Sequence, residues 1–253
     1  MLNELLDDLR AEHEDLVSHV RQADLDLKVP SEPWDVRDTV SHLMVGDEKG
    51  LLAATDPEAF QAELPQVLAD PVAFIDGWLA AGHGLTRDEL EERWRAGFAR
   101  MVAAFAALAP GTKVPWYGPP MSPASFATAR LMEYWAHGQD VVDALGVHRP
   151  PTARLKHIAH LGVRTRGFSY AVRGLPFPEG EVRVTLQAPD GSSWEWGTGE
   201  DAVTGTAEDF CLRVTQRRHR DDTGLVATGP LADDWLDHAQ CFAGLPTEGR
   251  PKK

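Results

Sequence analysis

Apolar residues recur at helical intervals through most of the first 146 positions. Leu2, Leu5, Leu6, Leu9, Leu16 and Val20, with charges between them, predict a helix over 2–27. The two prolines of VPSEPW (29–34) break that pattern. A second helix is predicted from Asp35, whose side chain caps it, with Asp38 near the positive helix end. It carries His42 among Val36, Thr39, Val40 and Leu43, so this face looks inward. Within 56–86, DPVAFIDGWLAAGHG predicts one short helix ended by GHG (82–84). A long helix is predicted over 86–108, opened by a Thr86–Glu89 capping box and stopped by Pro110-Gly111. After the turn PWYGPP (115–120), Ser122-Pro123 opens a last helix that runs to Leu145 and stops at Gly146. Four main helices with short or medium connections predict a four-helix bundle over 1–148.

RPPT (149–152) reads as a linker, and the pattern changes beyond it. Residues 155–172 keep helical spacing. EVRVTLQAP (181–189) alternates as a strand, Asp190-Gly191 turns, and SSWEWGTG returns as its hairpin partner. DAVTGT, a 207–218 helix, a short 224–229 strand and a closing helix from Pro230 follow. These elements do not alternate as βαβ units, which predicts a small α+β domain over 152–246. The expected fold class is therefore mainly α with α+β.

Composition narrows the function. The chain has 39 acidic against 25 Lys and Arg residues, a net charge of -14. That balance disfavours nucleic-acid backbones and anionic membrane surfaces, which need clustered basic residues. The N-terminal MLNELLDDLRAEHEDL is charged from the start, unlike a secretory signal, and no stretch approaches 18 apolar residues. A cytoplasmic protein, monomeric or homodimeric, is expected. Two cysteines, Cys211 and Cys241, make no disulfide framework and read as small buried hydrophobes. Arginine-weighted basic residues with abundant Ala, Gly and Asp suggest a GC-rich bacterial genome.

Candidate chemistry centres on three residues. Glu133 and His137 stand four apart on the last bundle helix, so they share a face, one turn apart. With His42 they offer two imidazoles and a carboxylate toward the bundle interior, where metal sites are commonly built from facing helices. Such a set leaves coordination positions open, as in catalytic zinc and equally in non-haem iron. Ordinary readings stand beside this one. An E-x-x-x-H pair is a common surface contact, and a histidine on an apolar face is commonly a hydrogen-bonded core residue. Asp140, three residues past His137, suits a carboxylate holding a ligand histidine's second nitrogen, or a solvated helix charge. Trp116, Tyr117 and Met121 suit a pocket mouth or simple turn packing. The remaining histidines, His13 included, are scattered and read as surface or capping residues. There is no P-loop and no G-x-G-x-x-G.

PWDVRDTVSHL (33–43) resembles the W-x-V-R-D-x-x-x-H-L entry of the actinobacterial maleylpyruvate isomerase N-terminal domain. EYWAHGQDVVDALG (133–146) resembles its E-x-x-x-H-G-x-D segment. That domain is one of the DinB-like metal-binding four-helix bundles. The resemblance is strong to about residue 148 and weaker beyond, where the chain is similar to a small α+β domain related to sterol-carrier folds. It implies that His42, Glu133 and His137 bind a divalent metal, usually zinc, and that mycothiol, a low-molecular-weight thiol, serves as cosubstrate. It also implies a functional arginine near Arg217, although TQRRHR departs from the family's W-G-R ending and leaves Arg218 as a competitor. The expected function is a metal-dependent transferase or isomerase acting on a small molecule with a thiol. The alternatives are a thiol-independent zinc hydrolase or lyase, in which the ion activates water, and a non-catalytic metal- and ligand-binding protein.

Overall fold

The computed structural model describes residues 2–31, 33–244, 246–247 and 249–252. It divides into two compact units, Met1–His148 and Arg149–Lys253. Among the described residues the first unit contains α1 (Leu2–Val20), α2 (Val36–Thr55), α3 (Pro57–Ala69), α4 (Pro71–Ala80), α5 (Arg87–Ala106) and α6 (Pro123–Leu145). The second contains α7 (Leu155–Arg164), α8 (Arg166–Ala171), β1 (Val182–Gln187), β2 (Ser193–Trp196), β3 (Asp201–Thr206), α9 (Ala207–Val214), β4 (Val226–Thr228) and α10 (Pro230–His238). The class is mainly helical with a small sheet near the C-terminal end, as expected. No helix among the described residues is long and apolar enough to cross a membrane.

The four long helices form the bundle. α1 packs chiefly on α6 and α2 on α5, while α3 and α4 lie against α2. Leu6, Leu9, Leu16, Leu43, Trp94, Phe105, Phe126 and Leu131 are all buried. Each such side chain taken from water contributes roughly 1.5–3 kcal/mol. The capping signals hold: Asp35 accepts from Asp38 N at 2.9 Å, Thr86 from Glu89 N, and Ser122 from Ser125 N. Gly146 ends α6 at φ 66, a left-handed conformation that glycine adopts without a Cβ penalty.

Two boundaries differ from expectation. α1 stops at Val20 rather than residue 27, because Asp24 Oδ1 accepts from Asp26 N at 3.0 Å and turns the chain. The following segment doubles back, with Val29 N donating to Trp34 O and Val36 N to Leu27 O, both at 3.1 Å. The 56–86 region forms two helices, not one. Each opens on an Asp-Pro pair: Asp56 caps α3 at Ala59 N and Asp70 caps α4 at Ala73 N. Pro65 inside α3 masks it in a propensity reading.

In the second unit the strand order is β2-β1-β3-β4, with β1–β2 and β3–β4 antiparallel and β1–β3 parallel. The predicted 155–172 helix is two helices. Thr165 Oγ1 donates to Leu161 O at 2.8 Å and Gly162 O at 3.2 Å, and the chain breaks there. Cys211 and Cys241 are buried and reduced.

The bundle core contains a polar network. Arg130 Nη2 donates to Asp47 Oδ1 at 2.8 Å and to Leu43 O at 3.1 Å, and Arg130 Nε donates to Asp47 Oδ1 at 3.2 Å. Tyr134 OH donates to Asp47 Oδ2 and accepts from Trp94 Nε1 at 2.8 Å. Gly46 leaves room for the guanidinium: a Cβ there would stand 2.8 Å from Arg130 Nη1. Gly46→Ala is therefore expected to cost about 1–2 kcal/mol, overpacking outweighing the better helix propensity of alanine. At Gly97 a Cβ would meet only Glu48 Cγ, at 3.7 Å. Gly97→Ala is accordingly expected to stabilise by up to about 1 kcal/mol. Urea denaturation of the two variants checks the opposite signs.

His13 is not at the surface. Its ring stacks on Phe98 at 3.9 Å and meets Tyr134 at 5.4 Å. Neither nitrogen has a hydrogen-bond partner among the described residues, and Nδ1 lies 3.6 Å from Glu14, itself paired with Arg95. Burial, then the Arg95 charge, pushes the His13 pKa down to about 3. Below its unfolded pKa near 6.5 the unfolded chain takes a proton that folded His13 refuses, so stability falls with pH. The loss attributable to His13 should reach about 2 kcal/mol at pH 5. Denaturation of His13→Leu and wild type at pH 7.5 and pH 5 should show the variant losing less by that amount.

Candidate metal centre

The centre is built on α2 and α6. The Asp35–Asp38 capping box fixes where α2 starts and so where His42 stands two turns in. Glu133 and His137 follow one turn apart on α6. Glu133 Oε2 lies 3.4 Å from His42 Nε2 and 3.4 Å from His137 Nε2. One ligand atom from each residue lies within 4.8 Å of the others.

The donor set fits a divalent ion. A separation of 3.4 Å is long for a hydrogen bond. Two atoms each about 2.0–2.1 Å from a tetrahedral zinc ion stand roughly 3.3–3.4 Å apart. Protonation states also suit. Burial, opposed by Glu133, pushes the His42 pKa down to about 4, so its imidazole is neutral at pH 7. Burial raises Glu133, but contacts from His137 and His42 outweigh it and hold the carboxyl well below its usual range. Neutral imidazole and ionised carboxylate are the forms that bind metal.

Asp140 is fully buried beside the centre. Its Oδ2 lies 3.4 Å from His137 Nδ1 and accepts from Ser31 Oγ at 2.9 Å. The turn before α2 thus anchors the carboxylate that meets the far side of the His137 ring. His42 Nδ1 is buried with no hydrogen-bond partner among the described residues.

Two indoles wall the centre. The Trp34 ring stacks on His137 at 5.5 Å and 12° and lies 5.2 Å from His42. Trp78 of α4 lies 5.6 Å from His42 on its own side. Helical spacing singles out neither: Trp34 sits in a turn, where it opens the W-x-V-R-D motif, and Trp78 lies on the short helix predicted within 56–86. Side-chain exposure is 14% for His42, 9% for His137 and 24% for Glu133, so the carboxylate is the open edge.

The other expected residues lie further out. Trp116 stacks on Phe60 at 5.4 Å, and Tyr117 packs on Phe60, Phe74 and, at 6.0 Å, Trp78. They form an aromatic layer joined to His42 through Trp78. Met121 closes the 114–121 turn by exchanging backbone hydrogen bonds with Val114. Arg217 belongs to the second unit, just past α9, where its Nη1 donates to Thr215 O at 2.8 Å. Arg218 Nη1 donates to Arg217 O.

Comparisons with known proteins bear on the family and the fold. Residues 6–142 match the family model of the mycothiol maleylpyruvate isomerase N-terminal domain. Two Mycobacterium tuberculosis proteins, from strains CDC 1551 and H37Rv and each named only as uncharacterised, are 44% identical over 96% of this chain and 96% of their own. The fold is similar to the crystal structure of the mycothiol-dependent maleylpyruvate isomerase, with TM-score 0.59, 15% identity, and 92% of this chain and 96% of that one covered. A histidine-to-alanine mutant of that enzyme gives TM-score 0.56 and 17% identity over the same shares. The chain belongs to the mycothiol maleylpyruvate isomerase N-terminal domain family.

Proposed function

We propose that this protein is a divalent-metal-dependent enzyme that uses mycothiol in S-transfer or thiol-assisted isomerisation, with zinc held by His42, Glu133 and His137. The observation that carries this reading is the convergence of two imidazole nitrogens and one carboxylate oxygen at an open edge. Family membership supports the thiol. Zinc at that position would supply a thiol in its reactive form at neutral pH, because a coordinating thiol loses its proton and the thiolate is the nucleophile.

The protein's own residues do the rest. Asp140, anchored by Ser31, faces His137 Nδ1 at 3.4 Å and is placed to orient that ring when His137 binds the metal. Trp34 and Trp78 cover the imidazoles and keep water from them. Glu133 stays ionised and marks the side from which thiol and substrate enter. Trp116 and Tyr117 back the Trp78 wall.

Zinc-loaded protein, mycothiol and small electrophilic or cis-unsaturated substrates test the reading. Transfer should consume one thiol per product, isomerisation should return the thiol unchanged, and neither should proceed without it. Turnover that is indifferent to thiol contradicts the proposal and favours water-based hydrolysis or elimination.

A further inference from the structure

The buried network in the bundle core lies beside the proposed ligands along both helices. On α2, Leu43, Gly46 and Asp47 occupy the turn after His42. On α6, Arg130 precedes Glu133 by three residues and Tyr134 follows it. Arg130 is docked onto all three α2 positions at once. It donates to the Leu43 carbonyl, passes the bare Cα of Gly46 and forks onto Asp47. Tyr134 ties the same carboxylate to Trp94 on α5.

We propose that Asp47 and Arg130 are positioning residues: their buried ion pair sets the register of α2 against α6 and so the spacing of His42 from Glu133 and His137 for a divalent ion. The inference rests on the reading that those three residues bind metal.

Two observations and a general property of buried ion pairs favour this over simple stabilisation. The pair is almost wholly buried, with side-chain exposures of 5% and 0%. Buried ion pairs are poor stabilisers, because desolvation offsets their attraction, and well-packed apolar replacements are often no worse. Their best-attested use is to fix register. The contact to the Leu43 carbonyl also acts on the backbone of the residue next to His42, which an ion pair serving stability alone does not require.

The experiment measures cobalt and zinc affinity by chelator competition, and the cobalt absorption spectrum, on the full chain. Arg130→Lys keeps the charge and loses the fork. Asp47→Asn keeps the shape and loses the charge. A double variant, Asp47→Leu with Arg130→Met, replaces the pair with apolar groups. Leu16→Ala is a control that weakens the core from α1 while leaving every residue of the network in place. The double variant should lose far less stability than a truncation that strands one charge, its cost being the Tyr134 hydroxyl left without an acceptor, yet bind metal roughly 10–100-fold more weakly. Its cobalt spectrum should broaden or shift. The single variants should weaken binding in the same direction, and Leu16→Ala should leave affinity and spectrum unchanged. Wild-type affinity and spectrum in the double variant, or in whichever variants fold, would overturn the proposal while leaving the metal site intact. A wild-type chain that binds neither metal would overturn both.

Discussion

Glu133→Gln is expected to weaken zinc or cobalt binding by at least about a hundredfold, more than the roughly 10–100-fold lost when an outer partner is removed. Glutamine keeps the shape, so the change isolates the charge. Glu133 Oε2 is the shared point of the centre, 3.4 Å from a nitrogen of each histidine. It is also the only anion among the three proposed ligands. Without it a dication would sit against two neutral imidazoles in a largely buried recess, where uncompensated charge is costly. Asp140→Asn should show the smaller effect, because Asp140 meets His137 from behind. Chelator competition on metal-free protein, with far-UV circular dichroism as the folding control, separates the two. Wild-type affinity in Glu133→Gln would remove it from the ligand set.

Asp47→Ala should have the largest effect on stability, about 3–5 kcal/mol, because it leaves the Arg130 guanidinium buried without its counter-charge. Tyr134 OH would lose its acceptor as well. Arg130→Ala should cost a similar amount by stranding Asp47. Burial, opposed by Arg130 and Tyr134, already pushes the Asp47 pKa up to about 6. The sign follows: between its unfolded pKa near 3.8 and about 6 the folded carboxyl takes up a proton more readily than the unfolded one. Its contribution to stability is therefore greatest in acid and declines as pH rises through 6. That is opposite to His13, so wild-type stability in mild acid is a balance of the two. Urea denaturation followed by tryptophan fluorescence measures the loss, with the first unit's transition analysed by itself because the chain has two units.

Much of this organisation was legible in the sequence because it is local. The Asp35, Thr86 and Ser122 caps, the Gly146 stop and the Asp190-Gly191 hairpin each depend on a few neighbouring residues. The Glu133–His137 pair follows from helical spacing. His42 joins it because its face of the second helix also looks inward, and the resemblance favours that set over the ordinary readings, since spacing says nothing about which helix faces which.

What escaped was non-local. Asp47 lies in GDEKG and reads as a solvated acidic stretch, yet it is fully buried because Arg130, far along the chain, comes to it. The one local hint was Gly46, a mid-helix glycine that costs about 1 kcal/mol against alanine and so asks for a reason. His13 has charged neighbours on both sides in sequence, but its own face of α1 turns toward Phe98 and Tyr134. Trp34 reaches His137 only because the chain after α1 folds back on itself. The Asp-Pro starts of α3 and α4 are local signals, and Pro65 inside α3 obscures the helix that follows the first of them.

Cobalt substitution reads both halves of an open metal centre that takes a thiol. Metal-free protein should take up one cobalt ion per chain, with the strong visible bands of a low-coordinate site, and lose that uptake in Glu133→Gln and His42→Ala. Added mycothiol should then produce sulfur-to-cobalt charge-transfer absorption in the near ultraviolet. A chain that takes up no cobalt, or holds cobalt whose spectrum is unmoved by thiol, has no open thiol-binding metal centre.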